Sequence, residues 1–373
     1  NTVGEANTGI GNYALANNIS ADHHTAVGYQ ALLTNTTGSE NVGIGKDALL
    51  LNTTGSKNTA VGTDALNANT TASFNTAVGS DALGANTTGS QNTAVGKNAL
   101  ESVTTASYHT AVGYNALGAN TSGVGNTAFG HGSLVANLGG GSNNAFGAAS
   151  LDANTTGNAN HGFGQNALGA NTTASNNAAF GNTTMASNTT GSNNTAFGSE
   201  ALFTNTTGTQ NTAVGYSSNY SSTGTNNTSI GYNTVSSSSS VSNEITLGNS
   251  SNDNLRCNDT SISSLSDARD KTNIQDIPLG LDFVNQMHPV SFDWDRRDGS
   301  YKGKKDFGFI AQELKEIQDN TAYADHMRLV RDNNPEKLEA DPMKTYPVLV
   351  KAIQELSAKV EELQTEIKTL KGN

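Results

Sequence analysis

The chain has 373 residues and a formal net charge of −12, with 34% hydrophobic residues. That length favours more than one domain. The acidic balance argues against a nucleic-acid backbone as partner, since phosphate binding needs clustered Lys and Arg. The single cysteine, Cys257, excludes an intrachain disulfide and a zinc-type cluster. No run of 18 apolar residues predicts a membrane span. We therefore expect no cofactor, no metal and no membrane insertion.

Charge divides the chain into two different parts. Residues 1–250 contain 3 Lys+Arg and 10 Asp+Glu, whereas residues 251–373 contain 17 and 22. All five prolines and the only tryptophan, Trp294, also lie in the second part. We predict four segments: a repeat region at 1–248, a linker at 249–265, a small α+β domain at 266–345 and a coiled coil at 346–373.

A phrase similar to NTAVGxxAL recurs 15 times in the first part, and 13 of its 14 spacings are 17 residues, the other being 16. Such regularity excludes disorder despite the Gly-, Asn-, Ser- and Thr-rich composition. The glycine of each copy is at positions 11, 28, 45, 62, 79, 96, 113, 130, 147, 164, 181, 198, 215, 231 and 248.

Two apolar stripes follow this period. The first stripe consists of the residue directly before each glycine, which is phenylalanine in the five copies from Phe129 to Phe197. The other follows the glycine by four residues, from Leu15 to Leu202, and fails at Asn219. Each copy thus predicts a short strand, a glycine corner, a second short strand and a polar NTTGS-type turn. Stacked copies predict a mainly β fold, a parallel β-solenoid about 70 Å long.

Two large apolar residues per copy make a thin core for a single chain. Three chains around one axis would pool their apolar edges, so we predict a homotrimer. The phrase Asn58-Thr59-Ala60-Val61-Gly62 resembles the head repeats of trimeric autotransporter adhesins. That resemblance covers about residues 1–248 and implies a trimeric left-handed β-roll, although the 17-residue period is longer than that family's.

The repeat also allows other interpretations. Asn-Thr-Thr is formally a glycosylation acceptor, and a flat threonine array could bind ice. The histidines His24, His109 and His161 could meet their copies at a three-fold axis and bind an ion. We favour their being ordinary members of polar ladders. The acidic residues are too few for calcium-binding nonapeptide repeats.

In the second part, PVSFDW (289–294) alternates and predicts a strand. RRDGSYKGK then predicts a hairpin turn or loop, and FGFIAQELKEI changes from strand to helix. NNPEKLEADPMKTYP predicts an irregular stretch. The last segment has a coiled-coil seam of three heptads, made of Leu349, Ile353, Leu356, Val360, Leu363, Ile367 and Leu370.

The pattern of that seam, with Ile and Val at a and Leu at d, favours two strands, which conflicts with a trimer. We give the trimer precedence because three heptads are too short to dictate assembly alone. Glu366 and Lys371 occupy g and e positions where an interchain ion pair is possible.

A hydroxyl and an amine, Ser266 and Lys271, lie at the junction of the two parts in LSDARDK. As a nucleophile–base pair they need a neutral lysine, which requires burial or nearby positive charge. Arg269 would favour this, and Asp267 and Asp270 would oppose it. Five residues misalign on a helix, so the pair needs a loop or a bent turn. Alternatively, Ser264-x-x-Asp267 is a capping-box variant that starts a helix.

The ordered motifs Ser-Asp-x-Arg-x-Lys, Thr-Asn-Ile, HPVSFDW and Gly-Phe-Ile-Ala-Gln-Glu, followed by a coiled coil, resemble the endosialidase-type intramolecular chaperone. The resemblance covers about residues 264–373. It implies a domain that ends phage tail fibres and tailspikes, assembles three chains and then cuts itself off. It also implies that Ser266 is the nucleophile, Lys271 the base and Leu265–Ser266 the scissile bond.

We therefore predict a homotrimeric phage tail fibre or spike of the virion that attaches to a host cell-surface receptor, possibly a glycan. A further N-terminal part would contact other tail or baseplate proteins. The alternative is a bacterial surface adhesin, or a fibre of a phage-like contractile injection particle, with an uncleaved chaperone cap. A polysaccharide depolymerase needs paired carboxylates, and the few acids of the repeat mostly share one slot, as Asp47, Asp64 and Asp81 do. Enzymatic activity would be at most one self-cleaving turnover.

Overall fold

The computed structural model describes residues 3–252, 255–256, 266–297, 302–332 and 338–372. The chain forms two compact units, residues 1–249 and 250–373. Each unit has its own core and is described by itself.

The first unit is a parallel β-solenoid, as predicted. Fifteen three-residue strands pair in sequence order, one strand per coil, which makes fourteen turns. The single 16-residue spacing leaves the register intact, since Thr212 still pairs with Thr228. The strands are β1 (Thr8–Ile10), β2 (Thr25–Val27), β3 (Val42–Ile44), β4 (Thr59–Val61), β5 (Thr76–Val78), β6 (Thr93–Val95), β7 (Thr110–Val112), β8 (Thr127–Phe129), β9 (Asn144–Phe146), β10 (His161–Phe163), β11 (Ala178–Phe180), β12 (Thr195–Phe197), β13 (Thr212–Val214), β14 (Thr228–Ile230) and β15 (Ile245–Leu247).

The second strand predicted for each copy is absent from the described coils. The segment after the glycine is a series of tight bends, in which Asp47 and Leu49 have φ angles of 56° and 54°. Such left-handed conformations interrupt an extended strand. The segment nevertheless stacks on the next coil, because the Leu49 amide donates to the Ala65 carbonyl at 3.0 Å.

The solenoid core consists of small and large aliphatic residues in alternation. Ala60, in the middle of β4, and Leu66, in the bends, are both fully buried. Val61 is only half-buried, because alternate strand residues point to opposite faces and Val61 points outward. The prediction of two large core residues per coil was therefore wrong: only the leucine is inside. The outward residues before each glycine form one line along the solenoid, which we call the apolar column.

Two ladders of buried asparagines run beside this core. In one, the Asn58 amide N–H donates to Asn41 Oδ1 at 2.9 Å, and Asn58 Nδ2 donates to the Ala72 carbonyl at 2.8 Å. In the other, Asn52 Nδ2 donates to Asn35 Oδ1 at 2.8 Å. Asn35 and Asn52 are the asparagines of Asn-Thr-Thr, and both are fully buried. The glycosylation interpretation is therefore wrong for the folded solenoid.

The second unit combines short helices and strands with one long helix. Strands β16 (Pro289–Asp293) and β17 (Lys305–Phe309) pair antiparallel, which confirms the predicted strand. Residues 298–301 of the predicted turn lie outside the described residues. Helix α2 (Ala311–Asp319) follows β17, as predicted. The other elements are a 3₁₀ turn (Ala268–Asp270), α1 (Leu281–Val284), α3 (Ala324–Met327), β18 (Val330–Arg331), β19 (Glu339–Ala340), a 3₁₀ turn (Pro342–Thr345) and α4 (Tyr346–Lys371).

The start of helix α4 packs against the core of the second unit, and most of the rest of the helix is exposed. Near its start, Val348 and Ala352 are buried, and Val348 packs with Phe283 and Leu314 in the unit's core. From Ile353 onward the predicted seam is exposed in this single chain, with Ile353 at 66% and Leu370 at 77%. Within the described ranges, the structure has no helix with the length and apolar character needed to cross a bilayer.

Candidate functional site

Ser266 and Lys271 meet across a single turn of 3₁₀ helix. The Lys271 Nζ donates a hydrogen bond of 2.6 Å to Ser266 Oγ and another of 3.2 Å to the Ser266 carbonyl. The turn spans Ala268–Asp270, and its N-cap is Asp267, whose carboxylate accepts from the Arg269 amide. The five-residue separation is thus bridged by one bend rather than by a regular helix.

The charged neighbours of the pair neutralise each other. Arg269 Nη2 lies 2.6 Å from Asp267 Oδ2 in a well-aligned ion pair. The Arg269 side chain lowers the pKa of the Asp267 carboxyl, and the same hydrogen bond raises the pKa of Arg269. The positive charge of Arg269 is therefore engaged by Asp267, so it does little to favour a neutral Lys271.

To act as the general base, Lys271 must be neutral when it receives the serine proton. Both Ser266 and Lys271 are exposed in the single chain, so water stabilises the ammonium. The geometry brings Ser266 Oγ and Lys271 Nζ together. Activation of the pair requires that other protein surface exclude water from Lys271. Leu265, the other half of the predicted scissile bond, lies outside the described residues.

His24 and His109 do not form an ion site of the predicted kind, and His161, on β10, lies with its Nδ1 2.9 Å from Asn144 Nδ2. His24 and His109 are buried inside their own coils, where each replaces an asparagine of a ladder. Asn41 donates its amide N–H to His24 Nδ1 at 3.1 Å, and Asn126 donates to His109 Nδ1 at 3.2 Å. Side chains enclosed this way cannot meet their copies at an axis. They are ladder members, as favoured above.

Burial also determines the charge of these two histidines. Desolvation lowers the pKa of His24, and it lowers the pKa of His109 to about 4. Among the described residues, no group of three or more His, Cys, Asp or Glu side chains is placed to hold a metal ion.

Residues 266–325 match the family model of the chaperone of endosialidase. The second unit carries a chaperone-of-endosialidase domain. The match begins at Ser266 and includes Lys271, and a β-solenoid precedes it. The resemblance of the ordered motifs to this family is thereby confirmed. No curated protein and no solved structure matches the chain.

One polar contact of the chaperone domain had no sequence signal. Glu355 of α4 accepts a hydrogen bond from the backbone amide of Leu281, 74 residues earlier. A heptad pattern places Glu355 beside the seam but cannot name its partner in a distant segment.

Proposed function

We propose that the chain is the distal part of a homotrimeric fibre of the tail-fibre or tailspike type, whose chaperone domain assembles three copies and then separates by a cut before Ser266. The observation that supports this proposal most strongly is the chaperone match, which follows the β-solenoid in the sequence. The match begins at Ser266, whose hydroxyl contacts Lys271. A chaperone of this family joined to a β-solenoid fits a fibre or spike.

Two bare apolar surfaces support self-association. The apolar column holds Val, Ile, Leu and Phe only, without a charge, from Ile10 to Leu247. Several of its members are more than a third exposed, including Phe129 and Val214. The seam of α4 is a second exposed apolar line, and a heptad seam needs other helices to cover it. Both surfaces are self-complementary, since a copy presents the same spacing.

A chaperone at the C-terminus solves a specific folding problem of this chain. A shift of 17 residues brings every coil onto an equivalent coil, so three chains can start in the wrong register. Long-range β pairing is also slow. Joining the three chaperone domains first would align the chain ends, and coiling would then proceed from an aligned start.

The proposed cut needs only the residues at the junction. Ser266 Oγ forms a bond to the Leu265 carbonyl carbon while its proton passes to a neutral Lys271 Nζ. The C–N bond then breaks, and the Ser266 nitrogen takes that proton, which leaves an ester between Leu265 and Ser266 Oγ. Water hydrolyses this ester to the Leu265 carboxylate and restores the hydroxyl. Covering by neighbouring copies would remove water from Lys271 and favour its neutral form.

The exposure of Ser266 and Lys271 in the single chain favours a second candidate. A chain in which nothing covers this pair would keep its chaperone domain as a permanent cap. Such a cap suits an adhesin or a fibre of a phage-like injection particle.

The test is the intact mass of freshly expressed, denatured protein, together with its sedimentation in native buffer. We expect wild type to be split between Leu265 and Ser266, Ser266→Ala to stay whole, and both to sediment as trimers. Ser291→Ala, which removes a serine from β16, is the matched control and should be cut. An uncut wild-type trimer would favour the second candidate, in which the chaperone domain stays attached. A stable monomer would contradict both candidates.

A further inference from the structure

One line of the solenoid surface varies from coil to coil and carries stacked aromatic rings. It consists of the residue that directly follows the corner glycine of each coil, and we call it the corner row. The row includes Tyr29, Lys46, Ser80, Tyr114 and Gln165. Exposure alone does not explain this variety. The second threonine of Asn-Thr-Thr is also exposed, yet it stays threonine in most coils, as in Thr37, Thr54 and Thr88.

The fifteen coils share one backbone and one stacking rise, so the repeat supplies its own internal comparison. Structural positions are uniform: alanine or leucine inside, asparagine in the ladders, glycine at the corner. Corner-row residues belong to none of these positions: they are outside the core, outside the asparagine ladders and next to the corner glycine. The large side chains of the corner row are not needed for stacking, and they are unsuited to a uniform interface between copies, unlike the apolar column.

Two stacked ring pairs stand on the corner row. The rings of Tyr114 and His131 lie 5.3 Å apart with an interplanar angle of 16°. Those of Tyr216 and Tyr232 lie 5.7 Å apart at 15°. Tyr114 is 50% exposed and Tyr216 is 47% exposed. Each pair thus presents two stacked, partly exposed rings on the outer surface of the solenoid.

Neither ring pair has an aromatic corner-row residue in the coil before it or in the coil after it. In the coil that follows His131, the corner-row residue is Ala148, and in the coil that precedes Tyr216 it is Ser199. Neither side chain is large enough to cover a ring stacked one coil away. The uncovered ring faces are therefore those of His131 and Tyr216.

The phenylalanine ladder of the apolar column provides a contrast. Phe146, Phe163 and Phe180 stack at 4.7–4.8 Å with interplanar angles of 4–6°. In a continuous stack each ring covers its neighbours' faces, and only the ring edges stay outside. The ladder therefore suits packing against protein, whereas the ring pairs of the corner row offer faces.

The two pairs are regularly placed. Tyr114 and Tyr216 are six coils apart, which corresponds to about 29 Å at the spacing of hydrogen-bonded strands. Another six coils towards the N-terminus lies a third aromatic pair, Tyr13 and Tyr29, with ring centroids 6.4 Å apart in an edge arrangement; Tyr13 lies one residue after the corner-row position, which is Asn12. Equal intervals on a rigid rod fit a ligand that itself repeats.

We propose that the pairs Tyr114–His131 and Tyr216–Tyr232 are two binding sites for sugar rings of one repeating cell-surface polysaccharide. The C–H face of a pyranose is apolar and slightly positive, which suits the negative face of an aromatic ring. The Tyr216 hydroxyl and the His131 ring nitrogens would hydrogen-bond the sugar's hydroxyls. Two weak sites on one rod bind a long polymer strongly, because the second contact is intramolecular. The inference rests on the proposed attachment function and names its surface and its partner class.

The test uses the full-length trimer on a printed array of purified bacterial cell-surface polysaccharides. His131→Ala and Tyr216→Ala, which remove the two rings with an uncovered face, should each weaken binding of the best polysaccharide about tenfold, and the double variant about a hundredfold or more. Tyr216→Phe should retain most of the binding, because the ring face remains. The controls are Tyr108→Ala, an exposed tyrosine outside the row, and Gln165→Ala, a row member without a ring. Both should bind as wild type does.

Equal losses in the Tyr108→Ala control, or unchanged binding by the double variant, would overturn the assignment. So would the absence of any bound polysaccharide for an intact wild-type trimer. Binding to whole cells then separates the two levels of the argument. If cells bind the trimer and periodate oxidation of their glycans leaves that binding unchanged, attachment stands and the partner is a protein. If the trimer binds no cell, the attachment function itself fails.

Discussion

Glu355 Oε2, on the long helix α4, accepts a hydrogen bond of 2.7 Å from the backbone amide of Leu281, the first residue of α1. The N-cap of α1 is Gly280, which has no side chain to satisfy the free amides of the first turn. A side chain at 280 would overlap the Glu355 carboxylate. Helix α4, which bears the exposed seam, is thereby joined to the body of the chaperone domain.

Removing this cap should weaken the chaperone domain alone. We expect Glu355→Ala to lower its free energy of unfolding by about 1 kcal/mol. Urea unfolding followed by the fluorescence of Trp294, the only tryptophan, reports this unit and not the solenoid. Glu362→Ala, an exposed site on the same helix, is the control. Unchanged hydrogen-exchange protection of the Leu281 amide in Glu355→Ala would contradict the assignment.

The solenoid should lose stability in acid through His109. Burial lowers its pKa to about 4, below the value of about 6.5 in an unfolded chain. Between these values the unfolded state binds more protons, so the free energy of unfolding falls as the pH falls from 6.5 towards 4. The full loss is about 3 kcal/mol.

The variant His109→Asn restores the ladder residue and should remove most of this dependence. Thermal unfolding of the full chain at pH 7 and pH 5, followed by circular dichroism, measures it. His23→Asn changes an exposed histidine in the same solenoid and should keep the wild-type pH dependence. An acid sensitivity that survives both His109→Asn and the double change with His24→Asn would refute this explanation.

Corner glycines should be irreplaceable. Gly79 has a φ of 137°, and a Cβ there would lie 2.6 Å from the Gly96 carbonyl carbon. Gly79→Ala combines backbone strain with a clash against the next coil, and we expect a loss of about 3 kcal/mol or more. Gly84→Ala is the matched control, since its slot holds alanine in another coil, Ala186. Equal melting temperatures for the two variants would contradict this reading of the corner.

The seam of α4 should decide assembly. Leu363, at a d position, is 56% exposed in the single chain, and an aspartate there would place charge in the centre of a coiled coil. We expect Leu363→Asp to sediment as a monomer at micromolar concentration. Thr365→Asp introduces the same charge two residues away, outside the seam, and should remain assembled. Assembly of both variants would move the interface away from α4.

Much of the solenoid could be predicted because its signal is periodic. A glycine every 17 residues locates each corner, and the strand before it follows from β-branched residues such as Thr59 and Val61. Which apolar residue lies inside could not be read from the period. Val61 and Leu66 repeat equally well, and only the pleat and the left-handed bends send Leu66 inward and Val61 outward.

The candidate site, too, was predictable from the sequence only in part. An ordered set of motifs named Ser266 and Lys271, and a short turn brings their side chains within 2.6 Å. The pairing of Arg269 with Asp267, which leaves the lysine without a helping charge, depends on rotamers that no motif specifies.

By itself the sequence determined the repeat, the order of the elements in the chaperone domain and the heptads of α4, because these are local or periodic properties of the chain. Tertiary structure decided which side chains are buried, and the asparagine ladders and the cap between Glu355 and Leu281 follow from it. Those contacts join residues 14, 17 or 74 positions apart. Such contacts form only once coils stack or helices dock, because a backbone amide or an asparagine side chain can bond whichever partner the fold brings within reach.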